Sequence, residues 1–131
     1  MIFVDTGAWF ASMVPSDANH AAAAAWLEQN SEPLLTTDYV FSETITLLVT
    51  RGQRPQAEAF GATILSGKLA SLHVIALEEI QVAWEVFLRF NDKQWSFTDC
   101  TSKLIIEKLG LTKAFSFDHH FRQFGTVAVV P

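Results

Sequence analysis

Apolar residues along this chain follow two alternating patterns. Short unbroken runs have the length and the β-branched or aromatic content of buried strands: Ile2-Phe3-Val4, Leu34-Leu35-Thr36-Thr37, Leu72-His73-Val74-Ile75, Ala114-Phe115-Ser116-Phe117 and Val127-Ala128-Val129-Val130. Between them lie longer stretches in which apolar residues recur every three to four positions, as on one face of a helix. Pro15-Ser16-Asp17 opens such a stretch, which runs to about Gln29 and leaves through Asn30-Ser31-Glu32-Pro33. Asp38 is placed to cap a helix from Tyr39 to Arg51, and Pro55 starts another that ends near Gly67. A fourth runs from about Glu78 to Phe90. After the loop Asn91-Asp92-Lys93-Gln94, a fifth runs from Phe97 to Leu109 and closes at Gly110. Gly7 reads as the turn after the first strand.

Near-continuous apolar strands alternating with helices predict an α/β fold. The expected form is a three-layer sandwich with a central, mostly parallel sheet of about five strands between helices. No repeat, low-complexity tract or linker interrupts the pattern, so residues 1–131 read as one domain. Half of the residues are hydrophobic, enough for a sizeable core. The lone Cys100 excludes an internal disulfide framework and fits a reducing compartment. Met1-Ile2-Phe3-Val4 has no basic flank and is stopped by Asp5, so it does not read as a signal peptide. No apolar run approaches the ~18 residues that span a bilayer. A soluble, cytoplasmic protein without a membrane role is expected.

Four carboxylates fall where apolar sequence should continue. Asp5 ends the first run, Asp118 follows Phe117, and Glu43 and Asp99 sit near the starts of two apolar helices. Glu43 shares a helical face with Tyr39, Val40 and Leu47, and a carboxylate in an apolar stripe is costly unless neutralised or coordinated. Each also has an ordinary reading: Glu43 at a solvated helix edge, Asp5 in an Asp-Thr-Gly turn, Asp99 in a helix first turn, Asp118 as an N-cap. Asp5 and Asp118 nevertheless both lie at strand carboxyl ends, where parallel sheets collect ligands. An all-oxygen set suits a hard cation such as Mg²⁺ or Mn²⁺, and several acids together suit one or two ions acting on a phosphodiester. The net charge of −5 argues against a broad basic nucleic-acid surface, but setting these four acids aside leaves only −1.

The segments Phe3-Val4-Asp5-Thr6-Gly7-Ala8, Tyr39-Val40-Phe41-Ser42-Glu43-Thr44, Ser96-Phe97-Thr98-Asp99-Cys100 and Phe115-Ser116-Phe117-Asp118-His119-His120-Phe121 occur in order across the whole chain. As an ordered set, they resemble the PIN-domain ribonucleases, and among these the toxin subunits of VapBC toxin–antitoxin pairs. The resemblance implies that Asp5, Glu43, Asp99 and Asp118 form an acidic quartet that is both catalytic and metal-binding, around Mg²⁺ or Mn²⁺. It further implies that the Thr6 and Thr98 hydroxyls support this shell. The implied activity is endonucleolytic hydrolysis of RNA with a metal-activated water, and the implied partners are an RNA substrate, an inhibiting antitoxin protein and a second copy in a homodimer.

Other features have plainer readings. His20 packs or caps on the first helix. His119 and His120 invite a zinc reading, but neighbouring side chains on a turn should diverge, and no second Cys/His pair exists. Cys100 reads as a small buried apolar residue. Arg51, Arg54, Lys93, Lys103 and Arg122 read as a solvated face with phosphate contact as the alternative, and Trp84, Phe87 and Phe90 as a core stripe. Val4-Asp5-Thr6-Gly7-Ala8 also matches the signature of dimeric aspartic proteases, yet that fold is nearly all strand and has no use for Glu43. A metal-dependent phosphatase lacks its Asp-x-Asp here, because residue 7 is Gly. A phospho-acceptor domain has no role for Glu43. The rival of a different class is a non-catalytic PIN-like module that binds RNA or protein.

Overall fold

The computed structural model describes residues 1–131 as five strands and seven helices. In chain order these are β1 (Ile2–Val4), α1 (Thr6–Met13), α2 (His20–Gln29), β2 (Leu34–Thr37), α3 (Asp38–Thr50), α4 (Arg54–Leu65), β3 (Ser71–His73), α5 (Leu77–Arg89), α6 (Phe97–Lys108), β4 (Lys113–Phe115), α7 (His119–Gln123) and β5 (Ala128–Val130). The strands form one sheet in the order β3-β2-β1-β4-β5, and every neighbouring pair is parallel. The expected α/β architecture is present. No helix is long and apolar enough to cross a membrane.

β1 is central, and its three side chains are buried because helices cover both faces of the sheet. Aromatic pairs join the layers: Phe3 with Phe121 of α7, Trp26 of α2 with Phe115 of β4, and Trp9 of α1 with Phe60 of α4. The strand order reverses direction at β1. The chain first builds outward through β2 and β3, then returns to add β4 and β5 on the other side. The carboxyl ends of β1 and β4 therefore flank the topological switch point, where the loops above neighbouring strands part and leave a crevice.

Several elements depart from the sequence pattern, each for a local reason. Gly7 is not a turn but lies in the first turn of α1, because the Asp5 carboxylate accepts the Ala8 N–H and starts the helix at once. A capping bond of this kind outweighs the weak helix propensity of one glycine. α2 begins at His20 rather than near Pro15–Asp17, which are turns. The His20 ring Nδ1 donates to the Ala11 carbonyl at 2.7 Å and ties α2 to α1. Thr37, not Asp38, caps α3 through the Val40 N–H. Asp38 instead accepts from the Ile75 N–H at 3.0 Å, beyond the end of β3. The stripe expected in the core divides: Phe90 is half-buried against Trp95, whereas Trp84 and Phe87 stack on each other at the surface. Helical periodicity defines a face but not which face packs, and α5 turns Glu79 and Ala83 inward.

Glu79 is a buried carboxylate that the sequence reading passed over. It accepts from the Ala76 N–H at 2.8 Å, from Lys108 Nζ of α6 at 2.8 Å and from the His73 ring at 3.0 Å. Burial opposes its ionisation, but these donors prevail and draw its pKa down to about 2. The network joins the end of β3, the start of α5 and the end of α6. A carboxylate with a folded-state pKa below its ordinary 4.5 contributes stability above that pH, which is lost as pH falls toward 2. Glu79→Gln should therefore lower unfolding stability at pH 7 by roughly 2 kcal/mol. The deficit should shrink in chemical denaturation at pH 3, and an equal deficit at both values would contradict the ionic role.

Candidate active site

The sheet register builds the site. Val4 of β1 pairs with Phe115 of β4, so the next residues, Asp5 and Ser116, leave the two strands side by side. The Asp5 N–H donates to the Phe115 carbonyl at 3.3 Å, and the buried Ser116 hydroxyl donates to Asp5 Oδ2 at 2.6 Å. Asp5 Oδ1 accepts the Ala8 N–H at 2.9 Å. Both oxygens of this buried side chain are thus held by protein donors. Ser116 Oγ also accepts the Asp118 N–H at 3.0 Å and so bends the chain back over the sheet edge.

The remaining acids converge on the same crevice from three helices. Asp118 is the N-cap of α7, with Oδ1 accepting the His120 N–H at 2.9 Å. Asp99 lies in the first turn of α6 in a reciprocal capping box: Ser96 Oγ accepts the Asp99 N–H, and Asp99 Oδ2 accepts the Ser96 N–H, both at 3.0 Å. Glu43 projects from α3 at the rim, where Oε2 accepts the Thr6 hydroxyl at 3.1 Å. Glu43 is exposed rather than enclosed in an apolar stripe, because Val40 and Thr44 turn into the core and leave it on the edge of the helix. All four carboxylates line one cavity of about 300 Å³, together with Thr6, Thr98 and His120.

The charges in this cavity oppose one another. Burial, with the nearby Asp118 and Asp99, pushes the Asp5 pKa up to about 7 against the hydrogen bonds that favour its anion. Glu43 and Asp99 are also raised, first by desolvation and then by their carboxylate neighbours. His120 is the only basic residue in the lining. Asp99 Oδ1, Asp118 Oδ2 and Glu43 Oε1 take no hydrogen bond from the protein, whereas the other oxygen of each is anchored. An all-carboxylate set with one open oxygen on three members and an excess of negative charge fits a hard divalent cation.

Every carboxylate singled out in the sequence is therefore in this cavity. Of the two threonines, Thr6 bonds Glu43, whereas Thr98 lines the wall without a hydrogen bond to any of the four. His119 and His120 do not diverge; their rings lie 4.3 Å apart, with His120 turned inward to Asp99 and His119 left exposed beside Asp118. Cys100 is buried behind Asp99, and desolvation followed by the Asp99 charge raises its thiol to about 11, far from a nucleophile. Sequence reading missed Ser116 and Ser96. The signal for Ser96 was a Ser three positions before Asp99, which is a capping-box spacing. Ser116 had none, because its role depends on strand register.

Comparison with known proteins agrees with this geometry. The PIN domain family matches residues 2–127. The 23S rRNA-specific endonuclease VapC20 of Mycobacterium tuberculosis, in strains CDC 1551 / Oshkosh and ATCC 25618 / H37Rv, is 37% identical over 131 residues, covering 100% of this chain and 99% of the relative. The crystal structure of Mycobacterium tuberculosis VapC20, described as a Sarcin-Ricin loop cleaving toxin, superimposes with a TM-score of 0.93 at 32% identity over the full length of both chains. The carboxylates at the switch point of an all-parallel sheet thus accompany a match across nearly the whole sequence, and the chain belongs to the PIN-domain family, among its VapC-type toxin endoribonucleases.

Proposed function

We propose that this chain is a single-domain, cytoplasmic toxin that cuts ribosomal RNA at a structured loop, with Asp5, Glu43, Asp99 and Asp118 as its catalytic, metal-holding residues. The observation that carries the reading is the convergence of these four side chains from β1, α3, α6 and the β4–α7 turn on one cavity. The kinship with relatives named for 23S rRNA and the Sarcin-Ricin loop supports the choice of substrate. An antitoxin protein and a homodimer complete the proposed partners, in keeping with toxin–antitoxin biology.

The quartet would hold one or two Mg²⁺ or Mn²⁺ ions, which when bound supply Lewis acidity toward water and the phosphodiester. The protein's own groups do the rest. Ser116 and the Ala8 amide hold Asp5, and the Ser96 amide holds Asp99, so that the anionic floor is set before substrate arrives. Thr6 holds Glu43 through Oε2 and leaves Oε1 free to face a bound cation or to orient the attacking water and ease its deprotonation. Thr98 and Ser102 line the cavity wall next to Asp99 and shape the space above the carboxylates. A non-catalytic module would have no need to hold mutually repelling acids together.

Purified full-length protein should cut ribosomal RNA at discrete sites with Mg²⁺ or Mn²⁺ and not with EDTA, while Asp5→Asn and Asp99→Asn abolish cutting and stay folded. Full activity in either variant would remove that residue from the catalytic set, and folded wild-type protein that binds RNA without cutting it would favour the binding module. Thr6→Val removes one hydrogen bond from Glu43 and should slow cleavage about tenfold, equivalent to ~1.4 kcal/mol. Without metal, stability should depend on pH through Asp5. Its folded-state pKa of about 7 lies above the ordinary 3.8, so the folded chain keeps a proton that the unfolded chain releases. Stability in EDTA should therefore fall by a few kcal/mol as pH rises from about 4 to about 7. Denaturation midpoints should show this slope flattened in Asp5→Asn and the stability restored by Mg²⁺.

A further inference from the structure

His120 reaches two of the four carboxylates from one residue. Its backbone N–H donates to Asp118 Oδ1 at 2.9 Å, and its ring Nδ1 lies 3.1 Å from Asp99 Oδ2 and 3.5 Å from Asp118 Oδ1. A carboxylate only accepts, so Nδ1 carries the hydrogen in the Asp99 contact. The ring is mostly buried, at 18% exposure, and the Asp99 side chain is equally enclosed at 15%. These contacts fall on oxygens that already have a role: Asp99 Oδ2 also takes the Ser96 N–H, and Asp118 Oδ1 is the cap of α7.

We propose that His120 is a positioning residue of the nuclease site, a clamp between α7 and α6 that holds Asp99 and Asp118 at a fixed spacing with Asp99 Oδ1 and Asp118 Oδ2 left open for a divalent cation. This rests on the reading of the four acids as the metal-holding set. Two donors on Asp99 Oδ2 occupy its lone pairs and stop the carboxylate from rotating, so the other oxygen is the one presented. Asp99 and Asp118 sit on separate helices, 19 positions apart in sequence. Apart from the packing of α6 on α7, His120 is the hydrogen-bonding link between these two acids, its ring bonding Asp99 and its backbone N–H bonding Asp118. The ring is not what anchors α7, since Phe121 and Phe124 pack that helix into the core and the capping N–H belongs to the backbone. Donors that hold a metal-binding side chain from behind commonly govern affinity by one to two orders of magnitude.

The test uses full-length wild-type, His120→Phe and His120→Asn proteins. Phe keeps the ring volume without the donor, and the Asn amide nitrogen can occupy the place of Nδ1. Mn²⁺ affinity is read directly by electron paramagnetic resonance titration, with no RNA present, and cleavage rate is then followed against Mn²⁺ concentration. His120→Phe should weaken Mn²⁺ binding about tenfold and shift the half-activating concentration by the same factor, with a much smaller change in the rate at saturating Mn²⁺. His120→Asn should restore affinity to within about threefold of wild type, a recovery that a space-filling role would not produce. Equal or tighter Mn²⁺ binding by His120→Phe, or an Asn variant as weak as Phe, would overturn the clamp while leaving the metal reading intact. Wild-type protein that binds no Mn²⁺ would overturn both.

Discussion

Helix N-termini hold three of the four acids, and this is the interaction on which the site depends. Asp5 caps α1, Asp118 caps α7, and Asp99 closes the capping box of α6, each through a backbone N–H that no helical carbonyl could satisfy. Such amides also carry the positive end of the helix dipole, which favours an anion by a few tenths to about 1 kcal/mol in each case. Burial first, and then repulsion between like charges sharing the cavity, raises the pKa values of Asp5, Glu43 and Asp99. The chain tolerates that repulsion because the fold supplies backbone donors where the charge collects. Glu43, within α3, has no such amide and relies on the Thr6 hydroxyl instead.

The parallel sheet brings the starts of α1, α3 and α7 together, and α6, which follows α5, is carried to the same place by packing against α3, α5 and α7. In a parallel sheet every strand carboxyl end faces the same way, so the helices that follow β1, β2 and β4 begin on one edge. At the β1–β4 junction the chain reverses its direction of growth, and the crevice there is the only place where Asp5 and the β4–α7 turn can meet. Ser116 joins them, bonding the Asp5 carboxylate through its hydroxyl hydrogen and the Asp118 amide through its oxygen. One residue of register between β1 and β4 thus decides whether the floor of the site exists.

The exposed aromatic pair on α5 and the buried Glu79 on the same helix show where pattern reading fails. The aromatics were placed in the core by the amphipathic rule, which expects aromatics inside and carboxylates outside, and Glu79 drew no notice under the same rule. Here Glu79 is inside because the Ala76 amide, Lys108 and His73 satisfy its oxygens, and those groups are up to 29 positions away. With that carboxylate and Ala83 facing inward, Trp84 and Phe87 are left at the surface. The Ala76 amide and His73 are near in sequence, but Lys108 is on another helix, and only its packing against α5 completes the set that lets Glu79 face inward.

The five strands, the five longer helices and the α/β class were legible in the sequence because they depend on hydrophobic period, which is a local property; α1 and α7, read as turns, were not, since each is short and starts on a carboxylate cap directly after a strand. The candidate acids were legible too, since a carboxylate that stops an apolar run is visible without knowing what it faces. Element starts were less so: Gly7 read as a turn and Asp38 as a cap, because the bonds that decide them, Asp5 to Ala8 and Thr37 to Val40, are choices between equally good local partners. Tertiary structure alone decided that Ser116 orients Asp5, that His120 faces Asp99 and that Thr98 bonds none of the acids. These contacts join residues from different elements, up to 111 positions apart, and only strand register and helix packing bring such groups within the ~3 Å over which a hydrogen bond acts.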